Sequence, residues 1–244
     1  MTDTNYTHIA FLLDRSGSMM SIKSDTEGGF DAYIESQRKQ PGRCTVTLAQ
    51  FDDQYEEVYA GRDLQTVPKL DLQPRGSTAL NDSIAALVRS TGAYLAGMKE
   101  EERPASVIFG IMTDGMENAS QEWTRPAIKA LIEDQENKYD WTFSYMGANQ
   151  DAIEVGGSMG IPAGRSLTYG TGTGNVEAAM TAYSAASASL RDAVAGGMAP
   201  AAARQAILYS PEQRAAAAPV ADDAPDVVVG DRPPGRSRGT IRRR

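Results

Sequence analysis

A three-layer α/β fold, built on a doubly wound and mainly parallel sheet, is the expectation for this chain. Three observations predict it. Strand-like and helix-like segments alternate along the sequence, and that order implies a parallel sheet covered by helices on both sides. The stretch Ala105-Ser-Val-Ile-Phe-Gly-Ile-Met112 is a continuous apolar run, as in a strand buried on both faces. Two further strand-like runs, 44–51 and 55–60, meet at Asp52-Asp53-Gln54. A loop of that length suits a hairpin, which adds one antiparallel edge strand.

The elements follow in order. Residues 8–13 read as a buried strand. Residues 19–39 read as a helix, with Ile22, Phe30, Tyr33 and Ile34 among its apolar positions. The hairpin strands come next. Leu80, Ile84, Leu87, Val88, Ala93 and Leu95 recur at helical spacing, which predicts a helix over 79–97. The apolar strand 105–112, a helix at 124–137 and a strand at 141–147 continue the alternation. A short helix over 150–158, a last strand at Ser166-Leu-Thr-Tyr169 and an Ala-rich helix over 175–195 complete it. Gly196-Gly197 then ends the helical pattern. The domain is expected to span 1–196. Residues 197–244 are expected to form an Ala/Pro-rich to Arg-rich extension, flexible and largely without fixed structure apart from a short helix near 200–217, because such a composition buries little apolar surface.

Charge and composition narrow the function. The chain has 244 residues and a net charge of −8, enough for one domain with extensions. The last 44 residues hold eight basic and five acidic side chains, so the body is the acidic part. An acidic body argues against a nucleic-acid surface on the main domain. Residues 231–244 hold six Arg and one Asp, which makes the tail a candidate for nucleic acid, an acidic partner, an anionic surface or the domain's own acidic crevice. The single cysteine, Cys44, allows no intrachain disulfide and reads as a small packed residue in a strand. No stretch approaches the ~18 apolar residues of a membrane span. The start, Met-Thr-Asp-Thr-Asn-Tyr, has neither a basic nor a long apolar region. A cytoplasmic protein is expected.

The chemistry concentrates at strand ends. The run His8-Ile-Ala-Phe-Leu-Leu-Asp14 ends at a carboxylate, and Ser16 and Ser18 follow it. The run Val107-Ile-Phe-Gly-Ile-Met-Thr113-Asp114 ends at another, followed by Gly115. The loop Pro74-Arg-Gly-Ser-Thr78 opens a helix and offers the Thr78 hydroxyl at the sheet rim. Sheets of this kind bind ligands beyond the carboxyl ends of their strands. Two carboxylates and three hydroxyls suit a hard divalent cation such as Mg²⁺ or Mn²⁺.

Asp14-x-Ser16-x-Ser18, Thr78 after a Gly-containing loop and Thr113-Asp114-Gly115 together resemble the von Willebrand factor A (vWA) domain and its metal-ion-dependent adhesion site. The likeness covers roughly residues 6–170, with all five positions filled in the family's order. It is strongest to small stand-alone bacterial and phage members. The resemblance implies a Rossmann-like fold and a metal held by Asp14, Ser16, Ser18, Thr78 and Asp114. It implies that Ser16 and Ser18 bind directly, and that Thr78, Asp14 and Asp114 divide between direct and water-mediated contact. It further implies recognition of a protein partner whose Asp or Glu completes the coordination. Small members of the family often act beside AAA-type ATPases, so scaffolding, assembly or chaperone-like recruitment is the expected role.

Plainer roles compete at each position. Asp14 and Asp114 are also ordinary strand-end and turn residues. Ser16, Ser18 and Thr78 also suit helix N-caps. Asp82 reads as a surface residue or helix-dipole complement. Asp52-Asp53 and Glu100-Glu101-Glu102 read as solvated loops. Within Asn149-Gln150-Asp151, Asn149 reads as a helix cap, although the segment also suits the crevice rim. Met19-Met20 suits either the core or a soft rim beside the site. An enzyme of the haloacid dehalogenase type would want a second Asp where Ser16 stands, so the general acid is missing. No Walker-type phosphate loop is present. His8, the only histidine, begins a strand far from Asp14, which leaves no Ser-His-Asp triad. No catalytic role is expected.

Overall fold

The computed structural model describes residues 2–219 apart from Asn149 and Ile207. The Arg-rich tail lies outside the described residues. The sheet has six strands: β1 (Asp3–Asp14), β2 (Arg43–Phe51), β3 (Tyr55–Asp63), β4 (Pro104–Thr113), β5 (Thr142–Ala148) and β6 (Ser166–Tyr169). Their order is β3-β2-β1-β4-β5-β6. Only β3 runs antiparallel, paired to β2 at one edge. The three-layer, mainly parallel architecture expected from the alternation is the one observed.

Side-chain alternation along each strand divides the core in two. Ile9, Phe11 and Leu13 of β1 face one side, and Ala10 and Leu12 the other. The first side is covered by α1 (Lys23–Arg38) and α5 (Asn175–Ala195). There Phe11 meets Phe30 edge-on at 5.3 Å and Tyr183 at 5.6 Å between ring centroids. Gly110 lies beneath Tyr183, and a Cβ on it would come within 2.5 Å of the phenol oxygen. The other side is covered by α2 (Leu80–Ala96), α3 (Arg125–Tyr139) and the short α4 (Ala152–Ser158). The chain leaves β1 for one face and reaches β4 through α2 on the opposite face. The switch in strand order therefore falls between β1 and β4, where a crevice opens at the carboxyl ends of the strands.

Two boundaries differ from expectation. The helix expected from residue 19 begins as a 3₁₀ segment, Gly17–Ile22, and becomes α-helical at Lys23. The tight first stretch brings Ser18 back toward Asp114. The second difference is the extension. Residues beyond 196 do not leave the domain at once: α6 (Pro200–Ala206) and α7 (Pro211–Ala217) pack against it. Ala203 and Ala217 are fully buried. Arg214 Nη1 donates to the Ser166 carbonyl at 2.8 Å, Tyr209 N–H to Gly164 O at 2.9 Å and Gly170 N–H to Ala217 O at 2.8 Å. Ala-rich sequence carries little apolar surface, but small side chains allow close approach, and the exposed edge of β6 supplies backbone partners.

Candidate metal centre

Each candidate ligand is held by a different physical device. Asp14 is the last residue of β1 and is fully buried. Its Oδ1 accepts the Ser16 N–H at 2.6 Å, and its Oδ2 accepts the Thr113 hydroxyl at 2.5 Å. Ser18 Oγ donates to Asp114 Oδ1 at 2.6 Å and lies 3.1 Å from Ser16 Oγ. Thr78 is fixed through its backbone. Its N–H donates to Asn118 Oδ1 at 2.9 Å, and its carbonyl accepts the Asn118 and Ala119 N–H groups at 3.0 and 3.2 Å.

Gly115 shows that these oxygens share one point. A Cβ built on it would lie 2.9 Å from Thr78 Oγ1, 3.7 Å from Asp14 Oδ2 and 3.7 Å from Ser16 Oγ. The loops after β1, before α2 and after β4 thus turn oxygens into the same small space. Ser18 and Asp114 join it through their mutual hydrogen bond. All five predicted residues come together.

Electrostatics favour a cation here. Burial pushes Asp14 up to about 6, against the Thr113 and Ser16 hydrogen bonds, and the nearby Asp114 adds to the rise. Burial also raises Asp114, against the Ser18 hydrogen bond. The basic residue between the ligands, Arg15, turns away to Asp52 Oδ2 at 3.0 Å and to Glu56. Among the described residues no three His, Cys, Asp or Glu side chains converge. The donor set is therefore carboxylate plus hydroxyl, all oxygen, which fits a hard divalent ion better than a thiolate- or imidazole-preferring one.

Several supporting residues differ from their expected roles. Asp52 is not solvated; it is fully buried. It accepts from Arg15 Nε at 3.0 Å and Arg75 Nε at 2.8 Å. Burial opposes its ionisation, but the Arg75 hydrogen bond, the Gln54 N–H and the Arg15 charge outweigh it, and its pKa is lowered. Around it Arg75 N–H bonds Arg15 O at 2.7 Å and Ala79 N–H bonds Asp52 O at 2.8 Å. Asp52 thus ties the serine loop to the threonine loop. Gly76 sits against it at φ +67, and a Cβ there would lie 2.6 Å from Asp53 Oδ1, so the position demands glycine.

Asp82 is a clamp rather than a free surface residue: it accepts the Gln121 and Trp123 N–H groups, each at 2.7 Å. Glu117 accepts the Asn81 N–H at 2.7 Å and the Ser120 N–H at 2.8 Å. Together they hold the loop after Asp114. Asp151 caps α4, accepting from the Ile153 and Glu154 N–H groups; the cap expected at Asn149 lies outside the described residues. Gln150 Nε2 donates to Gly115 O at 3.2 Å and so reaches the rim. Met19 is core, while Met20 and Met116 are 61% and 70% exposed, one after β1 and the other after β4, two of the three segments that bear candidate ligands. Tyr169 OH donates to Thr113 O at 3.1 Å and braces the β4 end from the opposite face.

The fold has known counterparts. Proximal thread matrix protein 1 from the mussel byssus, in a form described as having a zinc-occupied MIDAS motif, is 14% identical over 75% of this chain and 46% of its own, with a TM-score of 0.53. A von Willebrand factor type A protein from Catenulispora acidiphila is 13% identical over 75% of this chain and 43% of its own, with a TM-score of 0.50. The fold is that of a von Willebrand factor A domain. At these identities the likeness is one of architecture. The vWA fold here spans less than half the length of either matched protein. No family model matches the sequence, and no curated protein matches it.

Proposed function

We propose that this chain is a metal-dependent protein-binding module. Asp14, Ser16, Ser18, Thr78 and Asp114 would hold a divalent cation, Mg²⁺ or Mn²⁺, and a protein partner would complete its coordination with an Asp or Glu. The observation that carries this reading is the convergence of Thr78, Asp14 and Ser16 oxygens on the space beside Gly115. Octahedral coordination takes about six oxygens. Hydroxyl ligands are neutral, so two carboxylates leave the ion attractive to a third. Ser18, Met20 and Met116 are exposed, which leaves an open side with a soft apolar border suited to protein contact. The mussel protein's zinc-occupied MIDAS motif lends support for a divalent ion in this fold.

The proposal is recognition without bond breaking. Ser16 stands where a phosphotransferase of this general shape would need a second Asp. His8 lies six residues back along β1, about 20 Å from Asp14, and is fully buried. The role that fits is recruitment or assembly in the cytoplasm, with an AAA-type ATPase as one candidate partner class. Among the described residues no helix is long and apolar enough to cross a membrane.

Calorimetry with Mg²⁺ and Mn²⁺ tests the site. One binding event is expected in the wild type and none in Asp14→Ala or Asp114→Ala; identical heats in all three would sink the assignment. Pull-down with and without chelator tests the bridge: a partner retained equally in both would show that the metal plays no part.

A further inference from the structure

We propose that the opposite end of the domain holds a second ligand site: a cavity between α2 and α3 takes a small amphipathic carboxylate, an unbranched apolar chain with one anionic head. This site does not depend on the metal centre.

The strands set its location. The cavity, of about 580 Å³, is bordered by Pro104, Ala105 and Val107 at the start of β4. Thr113 ends that strand nine residues after Pro104, which puts the metal centre about 30 Å away. The walls are two helix faces. Val88, Gly92 and Leu95 line the cavity from α2, and Leu131, Gln135 and Tyr139 from α3, both at helical spacing. Val88, Leu95, Val107 and Trp141 are buried, so the depth of the cavity is apolar. Small-molecule pockets hold about 300–1,000 Å³ and pair such walls with a few polar groups.

Gly92 keeps the cavity open. It stands in the interior of α2, where glycine is the weakest helix former after proline. Neither the backbone nor a close neighbour demands it: its φ is not positive, and a Cβ there would meet no atom within 4 Å. A larger side chain at 92 would occupy the space between the helices.

Charge selects the head group. Arg89, Arg103 and Lys138 line the cavity against one acid, Asp140. Lys138 is held by Asp134 at 2.5 Å, and Asp140 stands 3.9 Å from Arg204. Arg103 Nε and Nη2 donate to Met98 O at 3.1 Å and Ala96 O at 3.3 Å, at the end of α2. Arg204 Nη1 donates to Glu136 O at 3.0 Å and Trp141 O at 2.9 Å, at the end of α3. The negative ends of both helices are thus already met. Arg89 lies over the Trp123 ring at 5.7 Å. Neither Arg89 nor Arg103 forms an ion pair with another described residue. Two guanidiniums without a counter-charge, beside an apolar cavity, complement a carboxylate, whose two oxygens match the guanidinium fork.

Calorimetry with decanoate on the full chain tests the site. A Kd of about 100 µM is expected, as for an efficient ligand of this size. Gly92→Leu fills the cavity and favours the helix, so it should abolish binding in a variant shown to be folded by circular dichroism and urea melts. Arg89→Gln should weaken decanoate about tenfold. Decylammonium, with the same chain and the opposite charge, should bind the wild type at least about tenfold more weakly. Three results overturn the proposal: no decanoate binding to the wild type, unchanged binding in folded Gly92→Leu, or decylammonium bound as tightly as decanoate. A dimer in sedimentation velocity, or a protein partner in pull-down, that is lost in Gly92→Leu yet persists in excess decanoate would assign the cavity to a protein surface and overturn it too.

Discussion

His8 and Asp14 lie on the same strand and, six residues apart, on the same face of it. Both are ionisable and both are fully buried. Burial lowers His8 to about 3 and raises Asp14 to about 6. The two resolve that penalty differently. His8 stays neutral, with Nδ1 at 2.9 Å from Thr45 Oγ1 and its ring 5.4 Å from that of Tyr94. Asp14 faces the oxygens of Ser16 and Thr78 across the space beside Gly115 and feels Asp114 nearby, and a cation would relieve it. Burial of a charge is thus a structural matter at one end of β1 and an invitation to a ligand at the other.

The sharpest way to break this contrast is to remove the charge and keep the shape. Asp14→Asn should take Mg²⁺ affinity out of the measurable range. The sign for the metal-free protein is the opposite. A carboxyl raised in the folded state contributes stability below its unfolded pKa and loses it as pH rises through about 6. At pH 7 the penalty is therefore present in full, and its removal should raise metal-free stability by roughly 1–3 kcal/mol. Urea melts at pH 7 with chelator check this; a destabilised Asp14→Asn would show that the charge is not strained.

The second prediction concerns the support. Asp52→Asn leaves Arg15 and Arg75 without their shared carboxylate. Breaking a buried pair costs about 3–5 kcal/mol; with Arg75 half outside, the lower end is expected. Metal affinity should fall about 10- to 100-fold, as for other groups that orient ligands. Melting and calorimetry on one preparation check both. Unchanged affinity in a folded variant would confine Asp52 to stability.

His8 gives an effect of similar kind with the opposite sign. Its folded pKa is lowered, so its contribution is present above the unfolded value near 6.5 and is lost as pH falls toward 3. Between pH 6.5 and 5 the loss should be about 2 kcal/mol. His8→Gln should flatten the acid limb of the stability curve over that window, measured with chelator present. An unchanged slope would show that the ring is already charged or solvated.

Much of this contrast was legible in the sequence. The sheet followed from apolar runs alternating with helical spacing, and the five candidate positions were read from two strand-end carboxylates, the two serines after Asp14 and the hydroxyl of the Thr78 loop. The clamps were less legible. Asp52 looks like a hairpin loop residue because its partners, Arg15 and Arg75, are 37 and 23 positions away. Asp82 holds backbone groups about 40 positions on, and backbone N–H groups leave no signature in sequence. A short helix near 200–217 was read from the sequence, where two stand, α6 and α7; their packing on the domain was not, because alanine contributes through smallness and α7 depends on the β6 strand it contacts.

The smallest expected effect belongs to Tyr169→Phe. Tyr169 OH is the only part of the residue the substitution removes, and it donates to Thr113 O from the face opposite the α2 layer. Loss of one buried hydrogen bond costs about 1 kcal/mol, and the carbonyl it leaves still belongs to the β4–β5 pairing region. Thr113 orients Asp14 through its hydroxyl and precedes Asp114, so a shift of its backbone would reach both carboxylates. If the two faces of the sheet are coupled at this point, Mg²⁺ affinity should fall severalfold along with the stability loss. If stability drops and affinity does not, the α2 face alone, through Thr78, Asn118 and Asp82, holds the β4 loop in place. The two outcomes separate a site braced from both layers from one built on a single layer.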